Sequence, residues 1–248
     1  MCSEMKLPIT IAISLFFTLM TLTLAMPHIS SKTVSHHASA MPTLNLESKK
    51  QDNKESSINI SKLISVTSDD GLKPQTLKAA LDAYSWALSH TKLGSNKDVL
   101  TVVDFTLPSY EKRMWVINLR ENKVLMKLHT TQGTGSGVVV AKRFSNVNHT
   151  QASSLGLYVT SEEYFGGHGK SMRLDGLQKG INDNARRRNI VIHAAAYASP
   201  EYIKANHRAG RSWGCFAVAP SRKDTLLEYI KGGSAFFAYA PSIRSAVV

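Results

Sequence analysis

The sequence predicts a mainly β domain, entered by an amphipathic helix and interrupted near its end by one short helix. Three observations carry that expectation. Beyond Lys97 the chain breaks into short runs rich in Val, Ile, Thr and aromatics: VLTVVDF, RMWVINL, KVLMKLHTTQ, GVVVAKRF, LGLYVT, NIVIHAA, GCFAVAP and AFFAYA. Such residues suit a pleated, half-buried surface. Turn signals, among them LPSYEKR, RENK and GTGSG, separate the runs at short intervals. Helical spacing is confined to two other stretches.

Residues 1–25 read as a secretory signal: Leu7 to Ala25 is apolar, broken only by Pro8, Thr and Ser, with Lys6 just before it. Export to the periplasm or cell envelope is the expectation. An uncleaved membrane anchor is the competing reading, since about 19 apolar-rich residues can just span a bilayer. With the signal cleaved no stable membrane span is expected. Residues 26–72, rich in Ser, Lys, Asn and His and without sustained periodicity, read as a flexible linker. Within 73–94, Leu77, Ala80, Leu81, Tyr84, Ala87 and Leu88 fall on one helical face, with Pro74 in the first turn and Gly94 after the end. The β-rich domain then runs over 98–240. Its one helix is SRKDTLLEYIKGG, with Ser221 suited to the N-cap, Asp224 to the N-terminal charge position and Gly232 to the stop.

The net charge of +12 and pI near 9.7 predict attraction to polyanions. No nucleic-acid module is recognisable, so no nucleic acid is expected as partner. An anionic cell envelope fits an exported chain. Processing removes Cys2 and leaves Cys215, so no intramolecular disulfide is expected. A lone exported thiol calls for an explanation by reactivity, against the alternative of a buried, inert residue.

A thiol of ordinary pKa, about 8.5, is only slightly ionised at neutral pH and needs an imidazole, a cation or a helix dipole beside it to act as a nucleophile. NIVIHAA places His193 at the end of an apolar strand, and Cys215 opens another, so the two can meet at adjoining strand ends. Gly214 permits close backbone approach, and the amides of Gly214 and Cys215 are candidates to hold an oxyanion. Arg208 and Arg211 add positive potential. His168, in YFGGHGKS, either lines a donor groove with Tyr164 and Ser171 or is a polar residue on a Gly-rich loop. A zinc site of His168, His193 and His207 lacks any short paired spacing, so no metal or other cofactor is expected. GTGSG opens no helix and reads as a hairpin turn; the ARRR run at 185–188 reads as a solvated turn or, near the site, as a carboxylate contact.

VVDFTLPSYEKRMWVINL, GTGSG, the long stretch from FSNVNHTQ to IVIHAAAY, and GRSWGCFAV together resemble the murein L,D-transpeptidase catalytic domain family, in its YkuD-type branch, over roughly 98–240. The sharpest element is a His, a spacer, then Ser or Thr, a variable residue, Gly and Cys, matched by His193, Ser212, Trp213, Gly214 and Cys215. The resemblance implies a β-sandwich-like fold in which Cys215 is acylated by a peptidoglycan stem peptide and the acyl group passes to an amine or water. It puts Cys215, His193, Gly214 and Ser212 in the catalytic group. Trp213 stands where well-known members carry a second His, and Phe216 and Ala217 where they carry polar residues. Arg211 and Arg208 then become candidates to hold the donor carboxylate, with Trp213, His168 and Tyr164 lining the groove. Rival readings are an L,D-carboxypeptidase, a sortase or NlpC/P60-like cysteine enzyme, and a non-catalytic basic wall-binding module. Chain order disfavours the second: NlpC/P60 enzymes place Cys before His, and sortases need an Arg after the Cys, where this chain offers Arg222 on the expected helix.

Overall fold

A computed structural model of the chain describes residues 58–243. The expected signal over 1–25 and most of the linker lie outside those residues. Two helices come first, α1 (Ile60–Asp69) and α2 (Pro74–Ser89). Strands β1 (Val99–Asp104), β2 (Met114–Asn118) and β3 (Lys123–Leu128) come next, then the two-residue β4 (Gln132–Gly133). A long hairpin of β5 (Gly156–Gly166) and β6 (Gly169–Gly176) leads to β7 (Val191–Ala194). The order closes with α3 (Pro200–Asn206), β8 (Arg211–Ser212), β9 (Phe216–Val218), α4 (Pro220–Ile230) and β10 (Ala235–Tyr239).

Eight strands form one sheet in the order β3-β2-β1-β10-β5-β6-β7-β9, and β4 pairs with β8 in a separate ladder. Neighbours in the large sheet are antiparallel except β1 with β10 and β7 with β9. The fold is mainly β, as expected. All six residues of β1 are buried, because both faces of the sheet are covered. The period of two then divides its side chains. Val99 and Val103 join a core with Met114, Val116, Tyr158, Phe216, Phe236 and the α4 residues Leu226, Leu227 and Ile230. Leu100 and Val102 join a second core with Trp115, Ile117, Phe237 and the α1–α2 residues Leu63, Leu77, Ala80, Ala83 and Tyr84.

The helical pair is tied to the sheet by polar bonds as well. Thr76 Oγ1 donates to the buried Asp104 carboxylate at 3.0 Å, Tyr84 donates to the Lys97 carbonyl at 2.9 Å, and Trp115 Nε1 donates to the Asp70 carbonyl at 3.2 Å. Burying polar groups with partners in place avoids the desolvation cost of leaving them open.

Four local expectations are corrected. Residues 60–69, read as linker, form α1, because Asn59 caps the helix by accepting from Lys62 N and only Leu63 and Thr67 need to be buried. GVVVAKRF is a loop and not a strand: the amides of Lys142 and Arg143 both donate to the Ser136 carbonyl, folding the segment back on itself. GTGSG holds a 3₁₀ turn, Thr134–Ser136, in place of a hairpin turn. The helix after the cysteine starts two residues early, with Ala219 at the N-cap and Pro220 in the first turn, where proline needs no amide partner. α3 is an addition to the expected elements; Ser199 caps it through the Tyr202 amide, and Pro200 and Glu201 occupy its first turn.

Arg113, fully buried just before β2, anchors the segment after β3. Its guanidinium donates to the Thr130 carbonyl from Nε at 3.1 Å and Nη2 at 3.0 Å, to Leu107 O at 3.0 Å and to Gln132 Oε1 at 2.7 Å. Burial brings its pKa down to about 9, with Asp104 opposing, so it stays charged at neutral pH. Arg113→Met removes the donors and strands those acceptors. It is expected to cost about 2–4 kcal/mol in urea denaturation, and an unchanged unfolding midpoint contradicts the anchor role.

Candidate active site

The parallel ladder of β7 and β9 pairs Ile192 with Phe216, His193 with Ala217 and Ala194 with Val218. Ile192, Phe216 and Val218 enter the main core, so the alternate residues, His193 and Ala217, face the other way. Cys215 immediately precedes this ladder. The two residues singled out in the sequence therefore sit on adjoining chains at one edge of the sheet.

Cys215 occupies a loop held by hydroxyls. Its carbonyl accepts from Ser212 Oγ at 2.7 Å and from Thr131 Oγ1 at 3.3 Å, and Thr131 Oγ1 in turn accepts from the Ala217 amide at 3.1 Å. Gly214 has φ +119°, a region side chains rarely adopt, and a Cβ there would lie 2.8 Å from both the Ala152 carbonyl oxygen and Ile190 Cδ1. The Gly214 amide donates to Ser212 Oγ at 3.1 Å. It is thus committed within the turn, which corrects the expectation that it faces an oxyanion. The Cys215 amide donates to no backbone carbonyl among the described residues.

His193 is buried, and its Nδ1–H donates to the Ala194 carbonyl at 2.9 Å. A carbonyl can only accept, so the neutral ring carries its proton on Nδ1 and leaves Nε2 unprotonated. His168, between β5 and β6 at the hairpin tip, stacks on this ring with centroids 4.2 Å apart and planes 22° from parallel. Burial pushes the His193 pKa down, the Ala194 bond opposes it, and His168 lowers it further. The imidazole is a neutral base at physiological pH.

The thiol is also neutral at rest. Cys215 is partly exposed, and Sγ donates to the Asn189 carbonyl at 3.3 Å. Its burial among protein atoms raises its pKa; the Val191 amide, then the Arg188 cation, then its own amide pull it back. Among the described residues no hydrogen bond joins Sγ to His193. Proton transfer between them thus requires Sγ to leave the Asn189 carbonyl.

The remaining candidates scatter more widely. Arg211 lies on β8 beside Gln132 of β4 and has no ion pair among the described residues. Arg208 donates to the neighbouring Ala209 carbonyl at 3.2 Å. Trp213 is 73% exposed, two residues from the thiol. Tyr164 pairs with Ser171 across the hairpin, with the Arg173 guanidinium 4.5 Å above its ring. His207 ends α3 in a left-handed conformation, and no group of three or more His, Cys, Asp or Glu among the described residues could hold a metal. Thr131, Asn189 and Tyr197 join the site without a local sequence signal. Burial pushes the Tyr197 phenol up, and a thiolate at Cys215 pushes it further in the same direction.

A thiol raised above its ordinary range is mostly protonated at pH 7 and becomes reactive as pH rises through the shifted value. Alkylation of resting Cys215 by iodoacetamide, read by intact mass, is expected to have its midpoint above the free-thiol value of about 8.5. A midpoint at or below pH 7 means a preformed thiolate and contradicts the neutral pair.

The model of the L,D-transpeptidase catalytic domain family matches residues 68–239. No curated protein matches the chain. Solved structures to which it is similar include an L,D-transpeptidase from Mycobacterium smegmatis, at 14% identity and TM-score 0.35 over 58% of this chain and 59% of that one. Another is the helical cell shape determining protein Pgp2 from Campylobacter jejuni, at 12% identity and TM-score 0.38 over 64% and 55%. A third is an L,D-transpeptidase from Stackebrandtia nassauensis, at 13% and 0.36 over 66% and 67%. The chain spans 59% of the length of the Mycobacterium smegmatis structure. With its sheet, its paired strands and the cysteine turn all inside the matched residues, the chain belongs to the L,D-transpeptidase catalytic domain family.

Proposed function

We propose that the protein is an exported peptidoglycan L,D-transpeptidase that uses Cys215 as nucleophile and His193 as base. The observation that carries this reading is the unprotonated Nε2 of His193, set by the Ala194 carbonyl, on the strand paired with the one that Cys215 opens. Export rests on the apolar run from Leu7 to Ala25. The net charge of +12 suits an anionic envelope.

In the proposed reaction Nε2 takes the thiol proton, and Sγ attacks the carbonyl joining the third stem residue to a terminal D-Ala. The Cys215 amide is the donor the turn leaves for the oxyanion. Collapse breaks the carbon–nitrogen bond, and the imidazolium returns its proton to the leaving D-Ala amine. An amine of a second stem, deprotonated by the same Nε2, then breaks the thioester; water in its place gives hydrolysis. Ser212 acts by fixing the Cys215 carbonyl and the Gly214 amide in one turn. Arg211, free of ion pairs among the described residues, is the proposed clamp for the D-Ala carboxylate, with Arg208 and the exposed Trp213 flanking the groove. Tyr164 and His168 extend that groove along the β5–β6 hairpin.

The test is release of D-Ala from purified stem tetrapeptide. Cys215→Ala is expected to abolish release with little loss of stability, and His193→Ala to lower it about 10²- to 10⁴-fold. A pentapeptide moves the terminal carboxylate one residue, about 3.5 Å, beyond the clamp. Losing that charge-assisted contact costs about 2–2.7 kcal/mol, so wild type favours the tetrapeptide roughly thirty- to a hundredfold and Arg211→Ala loses the preference. Undiminished release by Cys215→Ala contradicts the nucleophile; equal wild-type rates on both stems contradict the clamp.

A further inference from the structure

The arginines at 186–188 divide by what they meet. Arg186 faces outward and is held by two carboxylates, Glu162 and Asp175. Arg188 turns inward and meets neutral acceptors. Its Nη1 donates to the Ser145 carbonyl and the Ser154 hydroxyl, each at 2.5 Å, and its Nη2 to the Ala152 carbonyl at 2.6 Å. Burial pulls its pKa down, yet a guanidinium starts so high that this one stays charged at neutral pH. Partly buried and without an ion pair among the described residues, this one keeps an uncompensated charge.

Its anchors place it against the cysteine turn from two sides. The next residue, Asn189, supplies the carbonyl to which Sγ donates. Ala152, which accepts from Nη2, presents that same carbonyl oxygen to Gly214, where a Cβ would lie 2.8 Å away. Two ionisable groups feel the Arg188 charge, the Tyr158 phenol and the Cys215 thiol. Tyr158 is fully buried on β5 and donates to the Ser154 carbonyl at 3.0 Å; burial drives its pKa up, so it stays neutral. Of the two, Cys215 alone becomes an anion in the proposed reaction. Arg188 is the one cation that acts on the Cys215 thiol among the described residues, and Arg211 and Arg208 do not; the Tyr197 phenol is pushed up and His193 is pushed down, so both are neutral at rest.

We propose that Arg188 is the standing counter-charge of the Cys215 thiolate, a positioning residue whose fixed guanidinium stabilises the negative sulfur formed when the thiol proton passes to His193 Nε2. The charge balance is simple: the proton leaves Sγ, the imidazole gains it, and the electron pair left on sulfur faces Arg188. The three neutral anchors have a consequence for rate. Because they hold the guanidinium before the thiolate forms, this side chain does not have to reorganise when it does. The proposal rests on Cys215 as nucleophile, but its test uses the thiol alone, without stem peptide, so the two can fail separately.

The experiment measures iodoacetamide alkylation of Cys215 against pH in full-length wild type, Arg188→Gln and Arg188→Lys, with thermal melts alongside. Arg188→Gln keeps hydrogen-bond donors and removes the charge, and its alkylation midpoint is expected to rise by about one pH unit. Arg188→Lys keeps the charge and is expected to recover at least about half of that shift. A second measurement needs no variant. The ratio of alkylation by anionic iodoacetate to that by neutral iodoacetamide is expected to exceed the free-cysteine ratio about threefold or more at physiological salt, where distant charges are screened. Coincident midpoints in wild type and Arg188→Gln overturn the proposal. So does an equal rise in the Lys and Gln variants, which assigns Arg188 to scaffolding, and so does a reagent ratio equal to that of free cysteine.

Discussion

The short parallel ladder between Val191–Ala194 and Phe216–Val218 is the constraint on which the rest of the site depends. Its alternation sends Ile192, Phe216 and Val218 into the core, where Phe216 meets Tyr158 and Phe236 edge-on. Burial of those side chains is what fixes the register, since a slip of one residue would turn His193 into the core and Ile192 out of it. The chemistry-bearing residues are positioned by their apolar neighbours.

Around the ladder the site is built from hydroxyls and carbonyls. Thr130 and Thr131 reach the Ala217 and Cys215 carbonyls, Ser212 bridges the Gly214 amide and the Cys215 carbonyl, and Ser153 accepts from the Gly133 amide. Such a network is stable only when its members are satisfied together. Arg113 holds one end of it through Thr130 and Gln132, and Arg188 holds the other through Ser145, Ala152 and Ser154. Both cations are desolvated, and both are kept charged by a fan of acceptors. The result is a firmly held turn with a neutral thiol resting on the Asn189 carbonyl, from which it has to be drawn to react.

Much of this is legible in the sequence, for identifiable reasons. Val- and Ile-rich runs betray strands because their side chains meet a pleated surface, and the spacing of Leu77, Ala80, Tyr84 and Ala87 betrays the buried face of α2. The placement of His193 and Cys215 on adjoining strands is a matter of local pattern as well. Other features depend on partners far along the chain. GVVVAKRF has strand composition, yet the Ser136 carbonyl takes the Lys142 and Arg143 amides and the segment joins no ladder. Ser212 is legible as a motif residue, but its bond to the Gly214 amide is visible only once the turn is formed. Nor can spacing separate Arg186 from Arg188: one meets carboxylates on β5 and β6, the other carbonyls of the 145–154 loop.

If a neutral Cys215 beside a neutral His193 is the residue that a stem-peptide donor acylates, the intermediate is a covalent one and can be weighed. The decisive measurement is the intact mass of the protein after brief exposure to purified stem tetrapeptide, with peptide mapping of the adduct. The predicted result is a mass increase equal to that of the tetrapeptide less free D-Ala, located on the peptide containing Cys215 and released by hydroxylamine, as a thioester requires. An adduct on any other residue, or release of D-Ala with the protein mass unchanged under trapping conditions, would contradict it.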